Sequence, residues 1–285
     1  MTDSNVLKLS TSGPSDIFVF DSVADIDAYI DASKYRKQET RFTGEELAEW
    51  EDVQKKLKEA WEKGIVTMKQ FVERLRNTPM PEIKDHMIRT TFSTEGDEVD
   101  FDRLMAGQPA HFRKTERREK SGPTEMTIVI DTSTPYWVNP DDILWRGAAA
   151  IALTQILEEK GYKVELWVIN GSNLYREVNV MTACRLKRPQ DPLDVSTLIN
   201  TVSGWFYRTA IFTLLETICE KEGQYKNSGY GNAYTANESE LDLITVDELR
   251  LYSSGVFTFD GAVSLIEAQM LKLAEKSQSQ EGEAA

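Results

Sequence analysis

The sharpest change of hydrophobic period falls between Thr127 and Asn170. An apolar, β-branched run, Met126–Ile130, ends at Asp131-Thr132-Ser133. A helical pattern follows, and Tyr162–Ile169 forms a second apolar run. A strand buried on both faces needs apolar residues at successive positions. The pattern therefore predicts a strand–helix–strand unit with polar side chains at the carboxyl end of its first strand, the edge where open α/β sheets hold ligands. Asn139 is placed to cap the helix, Pro140 suits its first position, and Asp141 and Asp142 complement its dipole. Gly147-Ala148-Ala149-Ala150 puts small side chains mid-helix, where they permit close approach to a sheet, and Gly161 ends the helix.

The period is less sharp on either side. Residues 1–15 read as a flexible tail, and Asp21 to Lys34 as a short helix on Val23, Ile26 and Ile30. Leu47, Trp50, Val53, Leu57 and Trp61 make one helical stripe from about Thr43, a core or docking face, with Gly64 as its stop. Thr67-Met68-Lys69-Gln70 fits a capping box for a second helix, which Asn77-Thr78-Pro79 ends. Between Pro79 and Pro123 the pattern weakens: a strand at His86–Phe92, a strand or helical turn at Val99–Met105, then the basic run His111–Lys120. After the central unit come an alternating stretch at Tyr175–Leu186, a short helix at Asp191–Asn200 and a long one at Ser203–Glu220. The Gly-, Asn- and Tyr-rich 224–240 segment reads as a surface loop, Leu241–Val246 as a strand, and Thr258 as the cap of a last helix. The expected organisation is a tail (1–15), an N-terminal helical and irregular arm (16–123), an α/β domain (124–276) and a disordered tail (277–285), with an open, mainly parallel sheet flanked by helices.

Composition narrows the function classes. A formal net charge of −14 makes whole-surface nucleic-acid binding unexpected, since phosphate backbones are repelled. Two cysteines, Cys184 and Cys219, and two histidines exclude a Cys/His zinc cluster and a disulfide framework, and a reduced, cytoplasmic setting follows. No apolar run approaches the ~20 residues of a membrane helix. The first residues carry neither a basic start nor an apolar block, so a signal peptide is not expected.

The order strand, Asp-x-Ser, helix, strand, hairpin, helix, strand, helix resembles a von Willebrand factor A-type domain, a Rossmann-like open sheet. That resemblance implies an Asp-x-Ser-x-Ser motif which, with a distant Thr and a distant Asp, holds Mg²⁺. Asp131 and Ser133 match, but Pro135 stands where the second Ser belongs. The usual Asp-Gly after the fourth strand is also absent. Gly44…Trp50…Trp61…Gly64, Ala106-Gly107-Gln108-Pro109, Arg146-Gly147-Ala148-Ala149 and Gly161-Tyr162-Lys163-Val164-Glu165 further resemble a family of mostly phage-encoded proteins with a degenerate domain of this kind. That family implies a fold and a viral setting, hence the host cytoplasm, and no activity.

Three functions compete for these residues. The first is a non-enzymatic interaction module that docks another protein on the strand-end face, through Asp131, Ser133, Trp137 and Arg146, helped by Tyr230 in the 224–240 loop. Tyr, Gly and Asn suit adaptable recognition there. The second is a nucleic-acid-associated phage factor using Arg113, Lys114, Arg117, Arg118 and Lys120, although Phe112 is the run's one aromatic and Glu116 and Glu119 interrupt it. The third is an enzyme with Mg²⁺ on Asp131, Ser133 and Asp247, or with Thr201 as a ligand. Against the metal stands a plainer use of Asp131 and Ser133: capping their own turn by side-chain-to-backbone hydrogen bonds. Arg146 fits an internal ion pair with Asp131 or Asp142. His86 and His111 have no Ser or Cys elbow near them, and no phosphate-binding glycine motif follows a strand. The interaction module, without catalytic residues or a required cofactor, is the expectation carried forward.

Overall fold

The computed structural model describes residues 6–11, 13, 15–76, 90–93, 98–99, 101–109, 112–115, 125–159, 161–174, 179–223, 232–245, 250–253, 258–269 and 271. In chain order its elements are β1 (Val6–Ser10), β2 (Ser15–Phe20), α1 (Val23–Tyr29), α2 (Thr40–Thr43), α3 (Trp50–Lys58), α4 (Glu62–Arg76), β3 (Thr90–Ser93), β4 (Glu98–Val99), α5 (Phe101–Met105), β5 (Phe112–Thr115), β6 (Glu125–Asp131), α6 (Pro140–Glu159), β7 (Lys163–Asn173), β8 (Asn179–Lys187), α7 (Val195–Thr201), α8 (Gly204–Phe206), a π-turn (Tyr207–Ile211), α9 (Phe212–Glu222), α10 (Glu238–Ile244), β9 (Arg250–Ser253) and α11 (259–269).

Six strands form the main sheet in the order β1-β2-β8-β7-β6-β9. The pairs β2–β8, β7–β6 and β6–β9 are parallel, and β1–β2 and β7–β8 antiparallel. The expected open, mainly parallel α/β sheet is therefore present, and β6 has a parallel neighbour on each side. Period-2 alternation divides its side chains between two unequal faces. Ile128, Ile130, Val164, Leu166, Val168 and Phe20 pack under α3, α4, α6, α7, α9 and α11. Ile17, Val129, Trp167, Ile169, Met181 and Ala183 form a smaller cluster, covered by Ala236 and by Leu241 of α10.

α6 is the central helix, with thirteen of its twenty residues buried. Asn139 caps it as expected: its Oδ1 accepts from the Asp141 N–H at 3.0 Å. The small residue Gly147 serves a different approach from the one its sequence suggests. A Cβ built there would lie 2.2 Å from Val202 Cβ, so the close contact is with the chain just past α7 rather than with the sheet.

Several expected elements are redrawn. The loose tail is replaced over 6–10 by β1, which pairs with β2 from Val6 opposite Phe20 to Ser10 opposite Asp16. β2 joins β8, so a boundary at 123 does not separate the start of the chain from the sheet. Gly64 does not end a helix. α4 begins at Glu62 and runs through it, and glycine fits this packed position because a Cβ would sit 2.6 Å from Ile199 Cγ1. Thr67, inside that helix, returns its hydroxyl to the Lys63 carbonyl at 2.9 Å instead of capping. Leu241–Val246 is not a strand over its described residues. Asn237 and Glu240 form a capping box that commits Glu238–Ile244 to α10, and the strand beside β6 is β9. The expected cap of the last helix is present, with Thr258 Oγ1 accepting from the Gly261 N–H at 3.1 Å. β3, β5 and β4 make a separate three-stranded sheet in that order. Residues 1–5 and 277–285 lie outside the described residues.

Candidate functional site

The β6–α6 connection is built by the residues that the hydrophobic pattern singles out. The Thr132 N–H continues the ladder onto the Ile169 carbonyl at 3.0 Å, and the Thr132 hydroxyl donates to Asn170 Oδ1. Asp131 Oδ1 accepts from the Ser133 N–H at 2.8 Å, an Asx turn. Ser133 Oγ accepts from the Gly171 N–H at 2.6 Å, tying the loop to β7. Arg146, one turn into α6, donates from Nη2 to the Ser133 carbonyl at 3.2 Å and to Thr134 Oγ1 at 2.5 Å. The Thr134 N–H reaches the Tyr207 hydroxyl at 3.4 Å.

A strap closes this corner. The Tyr234 N–H donates to the Gly171 carbonyl at 3.1 Å, and the Asn173 N–H to the Asn232 carbonyl at 2.9 Å. A Cβ on Gly171 would come within 2.3 Å of the Tyr234 carbonyl oxygen, so glycine is what lets the strap lie on β7. The Tyr234 hydroxyl donates to the Glu240 carboxylate at 2.9 Å. Over its described residues the tyrosine-rich loop is thus pinned down, not free to adapt. Tyr230 and Tyr225 lie outside the described residues.

The result corrects the expected working rim. Asp131 and Arg146 are each 1% exposed, and Ser133 is also buried. They shape the loop from below, and none of them lines the groove beside it. The same donors serve the turn itself, the plainer use expected of them. Asp131 Oδ1 and Ser133 Oγ already accept backbone N–H groups, and a guanidinium rests on the same turn, where it repels a second cation. Thr201, the other proposed ligand, is buried and returns its hydroxyl to the Leu198 carbonyl. Asp247 lies outside the described residues, among which no group of three His, Cys, Asp or Glu side chains is arranged to hold a metal.

What the loop does expose is its tip. The Val138 N–H bonds back to the Pro135 carbonyl at 3.2 Å, which makes Tyr136 and Trp137 the corners of a β-turn. They are 65% and 72% exposed, and their rings meet edge to face with centroids 5.2 Å apart. Beneath them lies Arg208, 1% exposed. Its Nη2 donates to the Val138 and Pro135 carbonyls at 2.6 and 3.3 Å, and its Nη1 to the Phe42 carbonyl at 2.6 Å. Its guanidinium carbon is 4.3 Å from the centroid of the Phe42 ring. Burial pushes Arg208 down to about 10, and pushes the neighbouring Tyr207 hydroxyl up to about 12. Between Phe42 and the Trp137 turn is an open groove of about 630 Å³ that Arg208 helps to line.

Sequence reasoning missed Tyr207, Arg208 and Phe42. The one available signal was an arginine inside the apolar stretch Trp205–Ile211. The π-turn that places Tyr207 and Arg208 leaves no mark in the hydrophobic period. In the basic run, Arg113 lies in register with Phe92 and Glu98, and Lys114 with Thr91; Arg117, Arg118 and Lys120 are outside the described residues, as are His86 and His111. Burial raises both thiols, Cys219 to about 11 and Cys184 further, in keeping with cysteines that act as small apolar groups. Trp50 is buried, as a core residue of the α3 stripe should be, and Trp61 packs partly buried beside it.

No described helix is long and apolar enough to cross a membrane. No curated protein and no solved structure matches the chain. The segment 15–255, from the first residue of β2 to just past β9, matches the family described as domain of unknown function DUF7192. That span takes in both the expected arm and the α/β domain, and covering most of the chain it shows that the protein belongs to this family.

Proposed function

We propose that the chain is a non-enzymatic protein-interaction module whose contact surface is the Pro135–Val138 turn. The observation that carries this reading is the pair of exposed aromatic rings, Tyr136 and Trp137, on a buried and fully braced base. Large aromatic side chains held in one place lose little entropy on binding and dominate interface energetics. The base is rigid for a stated reason: Asp131, Ser133, Arg146 and Arg208 hold the loop backbone from below. The order β6, α6, β7, β8, α7–α9, β9, α11 supports descent from an A-type domain in which turn bonds and a guanidinium replace the metal. The resemblance to phage proteins alone supports a viral setting in a host cytoplasm.

A photo-crosslinking residue tests the reading. Incorporated at Gln38, which lines the groove beside the turn and leaves both rings in place, it is expected to yield a specific adduct in a lysate of the native host. At Val66, 54% exposed on α4, it is not. The same adducts from both positions, or none from 38, would count against the proposal.

A further inference from the structure

The groove beside the Trp137 turn contains an unbalanced charge. Its lining includes Gln38, Arg41, Phe42, Trp137, Asn139 and Arg208. Arg41 is neutralised by Glu39, whose carboxylate lies 2.5 Å from its Nε. Among the described residues Arg208 has no such partner. Each of its hydrogen bonds ends on a neutral carbonyl oxygen, and its Nε is buried with no acceptor among the described residues. A buried cation held only by neutral dipoles keeps most of its desolvation cost, which an anion within reach offsets.

We infer that this groove is a carboxylate-binding site, in which an acidic segment of the protein partner places a carboxylate against Arg208 and an apolar side chain against Trp137. The inference rests on the docking function proposed above and names the chemistry of the partner. A groove of this size takes a few side chains, and Phe42, Tyr136 and Trp137 supply its apolar wall. Asn139 and Gln38 add neutral polar groups to the lining. A monoanion is favoured over a phosphate. Among the described residues one cation of the groove is unbalanced, not two, so a dianion would keep one of its charges unmatched. The planar guanidinium suits a two-oxygen acceptor.

The test uses the full-length chain labelled with ¹⁵N-tryptophan, the Trp137 indole resonance being identified with Trp137→Phe. The probes are N-acetyl-phenylalanine, its uncharged amide and phenyl phosphate. The carboxylate is expected to shift the Trp137 indole saturably, with a Kd at least about ten-fold below that of the amide, the worth of one charge-assisted hydrogen bond. Phenyl phosphate is expected to bind no more tightly than the carboxylate. Arg208→Lys, which keeps the charge but loses the fork, is expected to remove most of the carboxylate preference. Equal affinity for carboxylate and amide, no shift of the Trp137 indole by the carboxylate, or tighter binding of the phosphate would each overturn the assignment. Because the wild-type comparison needs no variant, a poorly folded Arg208→Lys protein leaves it decisive. A specific crosslink from position 38 without carboxylate selectivity would sink this inference alone. Carboxylate selectivity without a crosslink would sink the docking function alone.

Discussion

Tyr207 and Arg208 are adjacent, buried and polar, and they face the same loop with opposite consequences. Arg208 spends its donors on the carbonyls of Phe42, Pro135 and Val138, so the backbone of the exposed turn is fixed from inside. Tyr207 takes the Thr134 N–H and must stay neutral to remain buried. Its raised pKa makes a signed expectation. Below about pH 10 the hydroxyl is protonated in both folded and unfolded chains, and its contribution is intact. Between about 10 and 12 only the unfolded chain ionises there, so stability falls as pH rises. Tyr207→Phe is therefore expected to lose less stability across that window than the wild type, by up to about 2 kcal/mol at its upper end. Urea titrations at pH 9 and pH 11.5 measure it. Parallel losses in both proteins would show that the hydroxyl does not ionise on unfolding.

At the scale of elements, the sequence is most readable where one force dominates. β6, α6 and β7 follow from apolar continuity, a capping Asn and a terminating Gly, and they lie close to where the pattern puts them. Elements set by a neighbour are not readable in that way. Gly64 has the local chemistry of a stop, yet it lies inside α4, and what selects glycine there is the tertiary packing of Trp61 and Ile199. The stretch Leu241–Val246 is apolar enough for a strand, yet the Asn237–Glu240 capping box makes its described part helical. β1 is short and half-exposed, and only its pairing with β2 defines it. The sequence also singled out the Asp131–Ser133 corner correctly as a special turn. It did not disclose that the corner is sealed, because the strap over Gly171 and the π-turn are tertiary features. Gly147 gives the sharpest packing test. Gly147→Ala forces a methyl group into Val202 and is expected to destabilise by about 1–3 kcal/mol, despite alanine's better helix propensity. Adding Val202→Ala should recover much of that loss, a coupling that a denaturant double-mutant cycle reads directly. Simple additivity of the two substitutions would mean that the contact is not what fixes glycine there.

At the scale of the whole molecule, the described residues cover the two faces of the sheet unequally. Most of the described helices crowd one face, and the smaller cluster on the other packs with α10 and the strap before it. The strand end that holds ligands in many open α/β sheets is here closed by the chain itself. The molecule presents in its place two aromatic corners above a groove with one unbalanced cation. The strong net acidity of the chain makes this small cationic groove locally distinct. Removing the tip should thus cost recognition without costing the fold, since neither ring contributes to the buried core. Quantitative affinity capture from a native cell lysate, with wild-type and Trp137→Ala proteins shown to melt at the same temperature, measures this most directly. The expected result is at least a ten-fold loss of the specifically recovered protein in the variant; equal recovery of the same protein by both would contradict the account.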